Sequence, residues 1–279
     1  METPLPRLLE PFRRHIEATL APSLCLSSTA APGGLSASRL GGVPLVPWGM
    51  AWPHSPNGPM TFIGQLNLGQ LAAQLPMDAG LPRRGTLGLF YDVEEQPWGF
   101  DPADSQYWRV VYVPDPSQAV ALVPPAPVRD ALAPCALSAA PAVSVPGPVD
   151  ACRARFPSGL HRYLCRSYGR WYEVAQAGSS AGPGRHRFGG HADWLVGDGR
   201  VEANLAASGA YCGALSERGF GAAAQARGGL EAWRLLWQID TDPLAGLRWS
   251  GGGRLYLLMR AGDLRTASFG RAWLVVQCR

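Results

Sequence analysis

Apolar residues at three- and four-residue intervals open the chain: Leu8, Leu9, Phe12, Ile16 and Leu20 predict a helix over residues 5–20, of a kind that covers a sheet. Over residues 33–59 glycine, proline and tryptophan displace any period, which predicts an ordered but irregular loop. The pattern then turns to short apolar runs. These predict a strand through Gln65, a short helical segment over 68–75, a strand through Leu87 and Leu89, an acidic loop, and a strand over 108–113. Residues 114–150 hold nine prolines, and the β-type pieces at 120–123 and 143–145 between them are expected as edge strands. Residues 160–176 read as an amphipathic helix, with Leu160, Leu164, Tyr168, Trp171 and Ala175 on one stripe and Arg162, Arg166 and Arg170 on the other side.

The strand patterns occur twice in one order. Phe62-Ile63-Gly64-Gln65-Leu66-Asn67-Leu68 returns as Leu235-Leu236-Trp237-Gln238-Ile239-Asp240-Thr241, and Gly85-Thr86-Leu87-Gly88-Leu89-Phe90 as Gly253-Arg254-Leu255-Tyr256-Leu257-Leu258. Trp108-Arg109-Val110-Val111 corresponds to Trp273-Leu274-Val275-Val276, and upstream Leu40-Gly41-Gly42 corresponds to Phe188-Gly189-Gly190. Matched blocks in a common order predict an internal duplication. The expected fold is α+β, one body over residues 1–279 made of two similar halves near 33–150 and 151–279, with largely antiparallel sheets and a few covering helices.

Composition narrows the chemistry. The 279 residues suffice for a core without disulfides or metal. Six cysteines without a C-x-x-C pair are expected as reduced, packed thiols. All 25 basic residues are arginine, so mechanisms that need a Walker-A or Schiff-base lysine are excluded. No apolar run is long enough to cross a bilayer and the N-terminus carries Arg13, Arg14 and Glu17, so a cytoplasmic protein without a membrane role is expected. The net charge of +4 is too small to imply nucleic acid. It is uneven: residues 1–150 carry 8 arginines against 12 carboxylates, and 151–279 carry 17 against 9, so one face can attract an anionic partner.

The run from Trp233 to Asp242, then Trp249-Ser250-Gly251-Gly252-Gly253-Arg254-Leu255-Tyr256, Asp263-Leu264, Phe269 and Trp273 to Cys278, resembles the C-terminal signature of the YwqG-like family, a bacterial family of unassigned function. Trp52-Pro53, Tyr91-Asp92 and Trp98-Gly99-Phe100-Asp101 extend the resemblance into the N-terminal half. It implies a single α+β body of two similar halves and supplies no catalytic residue. Where that family tends to carry Trp-Gly-Asp, this chain has Ser250-Gly251-Gly252, which would impair a cation site built on that carboxylate. Similarity to accessory or immunity-type proteins encoded near bacterial toxins implies neutralisation by direct binding.

Candidate chemistry is sparse. Gly178-Ser179-Ser180-Ala181-Gly182 has the letters of a nucleophile elbow but follows a helix, and Gly219 to Ala224 has those of a dinucleotide loop without a preceding strand. His186, His191 and Asp193 are metal-ligating types at a spacing that shares no helix face. Asp92, Glu94, Glu95, Asp101 and Asp104 fit no EF-hand order and are expected to cap turns and face solvent. No metal or cofactor is therefore expected. Gln65 and Gln238 lie among apolar residues, where their amides must find partners; with Asn67, Asp240 and Arg254 they form the ligand-binding candidates, a polar cleft between the halves. Arg162, Arg166 and Arg170 form the partner-binding candidate. The leading expectation is a non-enzymatic binding module for another protein; the alternative is an enzyme or small-ligand binder using the cleft.

Overall fold

A computed structural model describes residues 4–76, 83–126, 131–148, 161–177, 185–213 and 229–278. Segments from both halves of the chain form one ten-stranded sheet, antiparallel at every pairing. In chain order its strands are β1 (Ala21–Thr29), β2 (Arg39–Leu40), β6 (Thr61–Asn67), β7 (Thr86–Tyr91), β8 (Trp108–Val113), β10 (Cys135–Ser144), β11 (His186–Phe188), β12 (Trp233–Asp240), β13 (Arg254–Arg260) and β14 (Trp273–Gln277). Two small ribbons flank it: β3 (Leu45–Pro47) with β9 (Ala119–Ala121), and β4 (His54–Ser55) with β5 (Gly58–Pro59). The order across the large sheet is β14-β13-β12-β11-β1-β10-β2-β6-β7-β8. Its two ends curl toward each other. Trp108 on β8 meets Trp273 on β14 edge to face with centroids 5.1 Å apart, and the Val276 amide of β14 donates to the Trp98 carbonyl at 3.1 Å. The sheet is thus nearly closed around a core that runs from Leu24 and Leu40 to Trp237, Leu257 and Val275.

The sheet order places like elements at like distances from its centre. β2, β6, β7 and β8 leave one side of the β1/β10 pair, and β11, β12, β13 and β14 leave the other. Details recur as well. β6 and β12 each carry a register shift, between Phe62 and Gly64 and between Leu235 and Trp237. Arg39 lies opposite Gln65 and Arg187 opposite Gln238. A Gly-Gly corner with positive φ follows β2 and β11 alike, and the amides of Gly41 and Gly189 donate to the carbonyls of Ile63 and Leu236. The last matched block behaves differently. Gly88 pairs with Val111 and Tyr256 with Val275, so register aligns Trp273 with Arg109 rather than with Trp108.

Several elements differ from the sequence expectation. The N-terminal helix is shorter than 5–20: a 3-10 turn at Glu10–Phe12 leads into α1 (Arg13–Glu17), because Pro6 and Pro11 remove backbone donors that a continuous helix would need. It packs Leu9 and Ile16 against a helix rather than over the sheet. The helix after β6 stops early, as α2 (Leu68–Ala72). The stretch around Val143 belongs to β10, which is central: it pairs with β1 on one side and with β2 on the other. Pro141 is tolerated there because it stands opposite Leu24, past the point where β2 ends, so that flank of β10 is an edge locally. The amphipathic helix is α3 (His161–Ala177), with Leu164, Tyr168, Trp171 and Tyr172 buried as its spacing requires. Two further short helices, α4 (Gly199–Ala206) and α5 (Ala261–Arg265), pack against β14 and β13. Among the described residues no helix is long and apolar enough to cross a membrane. Cys25, Cys135, Cys165, Cys212 and Cys278 are free thiols.

The corner after β11 yields a test. Gly189 and Gly190 share φ +69°, but a Cβ on Gly189 would meet only the Pro22 carbonyl at 4.0 Å, whereas one on Gly190 would stand 2.7 Å from Ser23 Cβ and against Ser144 Oγ. Gly189→Ala is expected to lose the left-handed cost alone, about 1–2 kcal/mol. Gly190→Ala should lose that plus an overpacking cost of about 1–3 kcal/mol. Urea unfolding of the two variants measures the difference, and equal losses would refute the packed corner.

Candidate functional site

Each buried glutamine fastens the segment that crosses over its own strand. Gln65 accepts at Oε1 from the Leu45 amide (3.3 Å) and from Arg39 Nη2 (3.3 Å), while its Nε2 donates to the carbonyls of Leu35 (2.9 Å) and Ala37 (3.1 Å). Arg39 is 2% exposed, and its guanidinium donates to the carbonyls of Gly34, Leu35 and Val43. Burial lowers its pKa to about 10. At the strand end Asn67 donates to the Ser36 carbonyl and accepts the Gln70 amide at 3.0 Å, which makes it the cap of α2.

The same scheme holds Gln238. Its Oε1 accepts the Asp193 amide (2.9 Å) and its Nε2 donates to the Arg185 carbonyl (2.8 Å). Asp193 follows Gly190 by three residues just as Leu45 follows Gly42, and Arg185 precedes Arg187 by two just as Ala37 precedes Arg39. Here charges are added. Arg254 Nη1 donates to Asp193 at both its carbonyl (2.9 Å) and Oδ2 (2.5 Å), and Asp240 Oδ2 stands 3.1 Å from Arg254 Nε, off the line of its N–H. Tyr172 of α3 donates to Asp193 Oδ1 (2.9 Å) and Tyr256 to the Asp193 carbonyl (2.8 Å). Burial alone would raise the Asp193 pKa, yet Arg254 and the Tyr172 hydroxyl outweigh it and hold the carboxyl below its ordinary value. Beside this group His186 accepts the Asp240 amide at Nδ1 (3.1 Å), which leaves Nε2–H to donate to Asp242 Oδ2 (2.9 Å). Asp242 is fully buried; burial pushes its pKa up, but the bonds from His186 and the Leu244 amide prevail and hold it at about 2.

The five ligand-binding candidates thus fall into two groups. Gln238, Asp240 and Arg254 come together, and Gln65 with Asn67 forms a separate group across β11, β1, β10 and β2. Both groups fasten local loops, with the amide oxygens and nitrogens of the glutamines occupied by backbone partners. Asp193, Tyr172 and Asp242, which complete the second group, gave no sequence signal as partners, since they lie 45, 66 and 4 positions from Gln238 without a shared period. The histidines have distinct partners, His186 on Asp242 and His191 Nε2 on the Thr19 carbonyl at 2.7 Å. In the acidic loop Asp92 is buried rather than solvent-facing: it accepts from Ser55, Asn57 and the amides of Glu94 and Glu95. Asp104 caps the amides of Gly99, Phe100 and Asp101. Among the described residues no three His, Cys, Asp or Glu side chains are grouped to hold a metal ion. The segments 178–182 and 219–224, with the letters of an elbow and a dinucleotide loop, lie outside the described residues.

The arginines divide. Arg162, Arg166 and Arg170 stand on the exposed side of α3, beside Tyr163 at 66% and Val174 at 60% exposure. Arg185 and Arg187 turn inward, toward Asp193 and the His191 carbonyl.

Two expectations follow from the buried groups. Gln238→Ala leaves the Asp193 amide and the Arg185 carbonyl without their partner and should destabilise by about 2–6 kcal/mol in urea unfolding, at a cost of roughly 1–3 kcal/mol per buried group. Asp242 has a depressed folded pKa, so its contribution is present above pH 3.8 and is lost as pH falls through about 2. Unfolding free energy should drop by about 2 kcal/mol over that window on its account. In Asp242→Asn, which keeps an acceptor for the Leu244 amide, that share of the pH slope should vanish.

Residues 38–278 match a family model described as "Domain of unknown function (DUF1963)", and the chain belongs to that family. No match was found among curated proteins.

Proposed function

We propose that this DUF1963 member is a protein-binding module that docks an acidic partner on α3. The carrying observation is the outward row of Arg162, Arg166 and Arg170, flanked by exposed Tyr163 and Val174. Four-residue spacing on a helix sets successive guanidiniums about 6 Å apart along the axis, a pitch that suits carboxylates on a facing helix or strand. Arginine and tyrosine are the side chains most able to anchor an interface, the first by bidentate bonds and the second by rigid amphipathic area. The inner stripe of α3 fixes this row to the body: Tyr168 bonds the Pro146 carbonyl and packs on Trp171, and Tyr172 bonds Asp193. The row is therefore presented on a rigid element.

The resemblance to the YwqG-like family supports a narrower version, in which the partner is a bacterial toxin neutralised by direct contact in the cytoplasm. The recurrent glutamine scheme supports descent of the two flanks from one duplicated unit. The alternative of a ligand in a cleft lined by Gln65, Gln238, Asp240 and Arg254 is the weaker reading, because those amides are occupied by their own loops.

The test is affinity capture from the native host, identification of the bound protein, and titration of that protein against Arg162→Glu/Arg166→Glu/Arg170→Glu. Truncating a charged interface pair costs about 2–5 kcal/mol, so the triple variant should lose at least about thirtyfold in affinity, and wild-type binding should weaken with salt. Affinity unchanged by the triple reversal would end the proposal.

A further inference from the structure

Where the two ends of the sheet approach each other, they leave a concavity of about 480 Å³. Its walls come from β8, the adjoining ends of β12 and β13, the turn into β14, and the end of α4. Three tryptophans, Trp108, Trp233 and Trp273, and three arginines, Arg109, Arg260 and Arg271, line it. We infer that this cleft binds a small organic anion, a carboxylate or phosphate ester carried on an apolar body.

The charge asymmetry comes first. One carboxylate in the lining, Asp263, answers the three guanidiniums, and it is 3.3 Å from Arg271. Arg109 is exposed and has no acidic partner among the described residues. Like charges gathered around one hollow repel, and an anion placed among them relieves that repulsion. The second observation is preorganisation. The Arg260 guanidinium lies over the Trp233 ring, 5.1 Å from its centroid, and Asn204 Oδ1 accepts both from Trp233 Nε1 (3.1 Å) and from Arg260 Nη2 (3.3 Å). One amide oxygen thus holds the cation and its aromatic platform together, so little side-chain freedom is lost when a ligand arrives. The third is the apolar share of the wall. Trp108 and Trp273 are fixed against each other, Trp273 Nε1 donating to the Gly99 carbonyl at 2.8 Å, and the rims of the two rings, 5% and 7% exposed, reach the lining beside the charges. Inorganic phosphate would use the arginines and waste that surface. The size is within the range of small-molecule sites, about 300–1,000 Å³.

The inference is independent of the α3 face. Its test uses the purified full chain, with phenyl phosphate as probe, tryptophan fluorescence as readout, and inorganic phosphate and phenol as comparison arms. A saturable response to phenyl phosphate is expected at millimolar concentration or below, with weaker binding of inorganic phosphate and none of phenol. Arg109→Ala and Arg271→Ala remove exposed side chains, the latter 77% exposed, so the fold should persist while each weakens phenyl phosphate by about tenfold. Arg248→Ala, an equal loss of charge on an exposed loop outside the cleft, should leave it unchanged. Absence of saturation, or equal affinity in the Arg109 and Arg271 variants, would overturn the site. Equal binding of inorganic phosphate would overturn its assignment to an organic anion, and equal binding of phenol would overturn the role of the arginines.

Discussion

A primary amide placed inside a strand whose two faces are both covered must be satisfied, and this requirement organises the molecule. Gln65 and Gln238 are each buried, and each bonds the backbone of the segment that crosses above it, Gln65 also accepting from Arg39. Leaving such groups unpaired costs about 1–3 kcal/mol apiece, more than most single contacts return. The crossing segments are therefore drawn down over β6 and β12, and the Gly-Gly corners are the backbone's way of turning sharply enough to comply. Where the amide holds, a Gly-Gly corner, a buried arginine and a register shift recur at matching distances from it.

From that constraint the two flanks diverge in how they treat charge. Around Gln65 the buried cation, Arg39, is solvated by carbonyls and by the glutamine itself. Around Gln238 carboxylates and an added arginine enter, so Asp193, Asp240 and Arg254 balance one another and His186 is tied to Asp242. The second solution places ion pairs where neutral groups sufficed in the first. Breaking one member of such a set leaves an uncompensated charge inside, so the group resists piecemeal change. It also ties α3 to the sheet through Tyr172, and α3 is the element that carries the outward arginines.

The two glutamines were legible because the letters around each repeat within a short window, whereas their bonding partners stand 20 to 53 positions away and were not. The amphipathic helix was legible from a short window as well, as Leu164, Tyr168 and Trp171 are buried and Arg162, Arg166 and Arg170 are exposed. The centre of the sheet was not. β1 and β10 are built largely of alanine, serine and proline, residues of low β-propensity, and the nine-residue pairing between them, rather than any pattern along either, makes them strands. Partners such as Asp193 and Tyr172 for Gln238 and Arg254 come from other segments and leave no trace in a linear period. The cleft at the sheet's ends draws its lining from separate stretches, for which no single motif exists.

The final matched block shows where letters and register part. Trp108 and Trp273 look equivalent, yet pairing puts Trp273 level with Arg109, and a shift of one residue turns every side chain to the other face of the sheet. Had the two tryptophans been equivalent in register, each would have occupied the same face of its own flank. Offset by one, they come from the two ends of the sheet and meet each other edge to face. The departure from symmetry is thus what lets β8 and β14 contact through aromatic rings without pairing as strands. It leaves the outer edge of β14 to the Trp98 carbonyl, and leaves Arg109 beside a gap rather than under a neighbouring strand. A nearly closed sheet with an unsealed end is the result, and the hollow lies at that end, between β8 and β14.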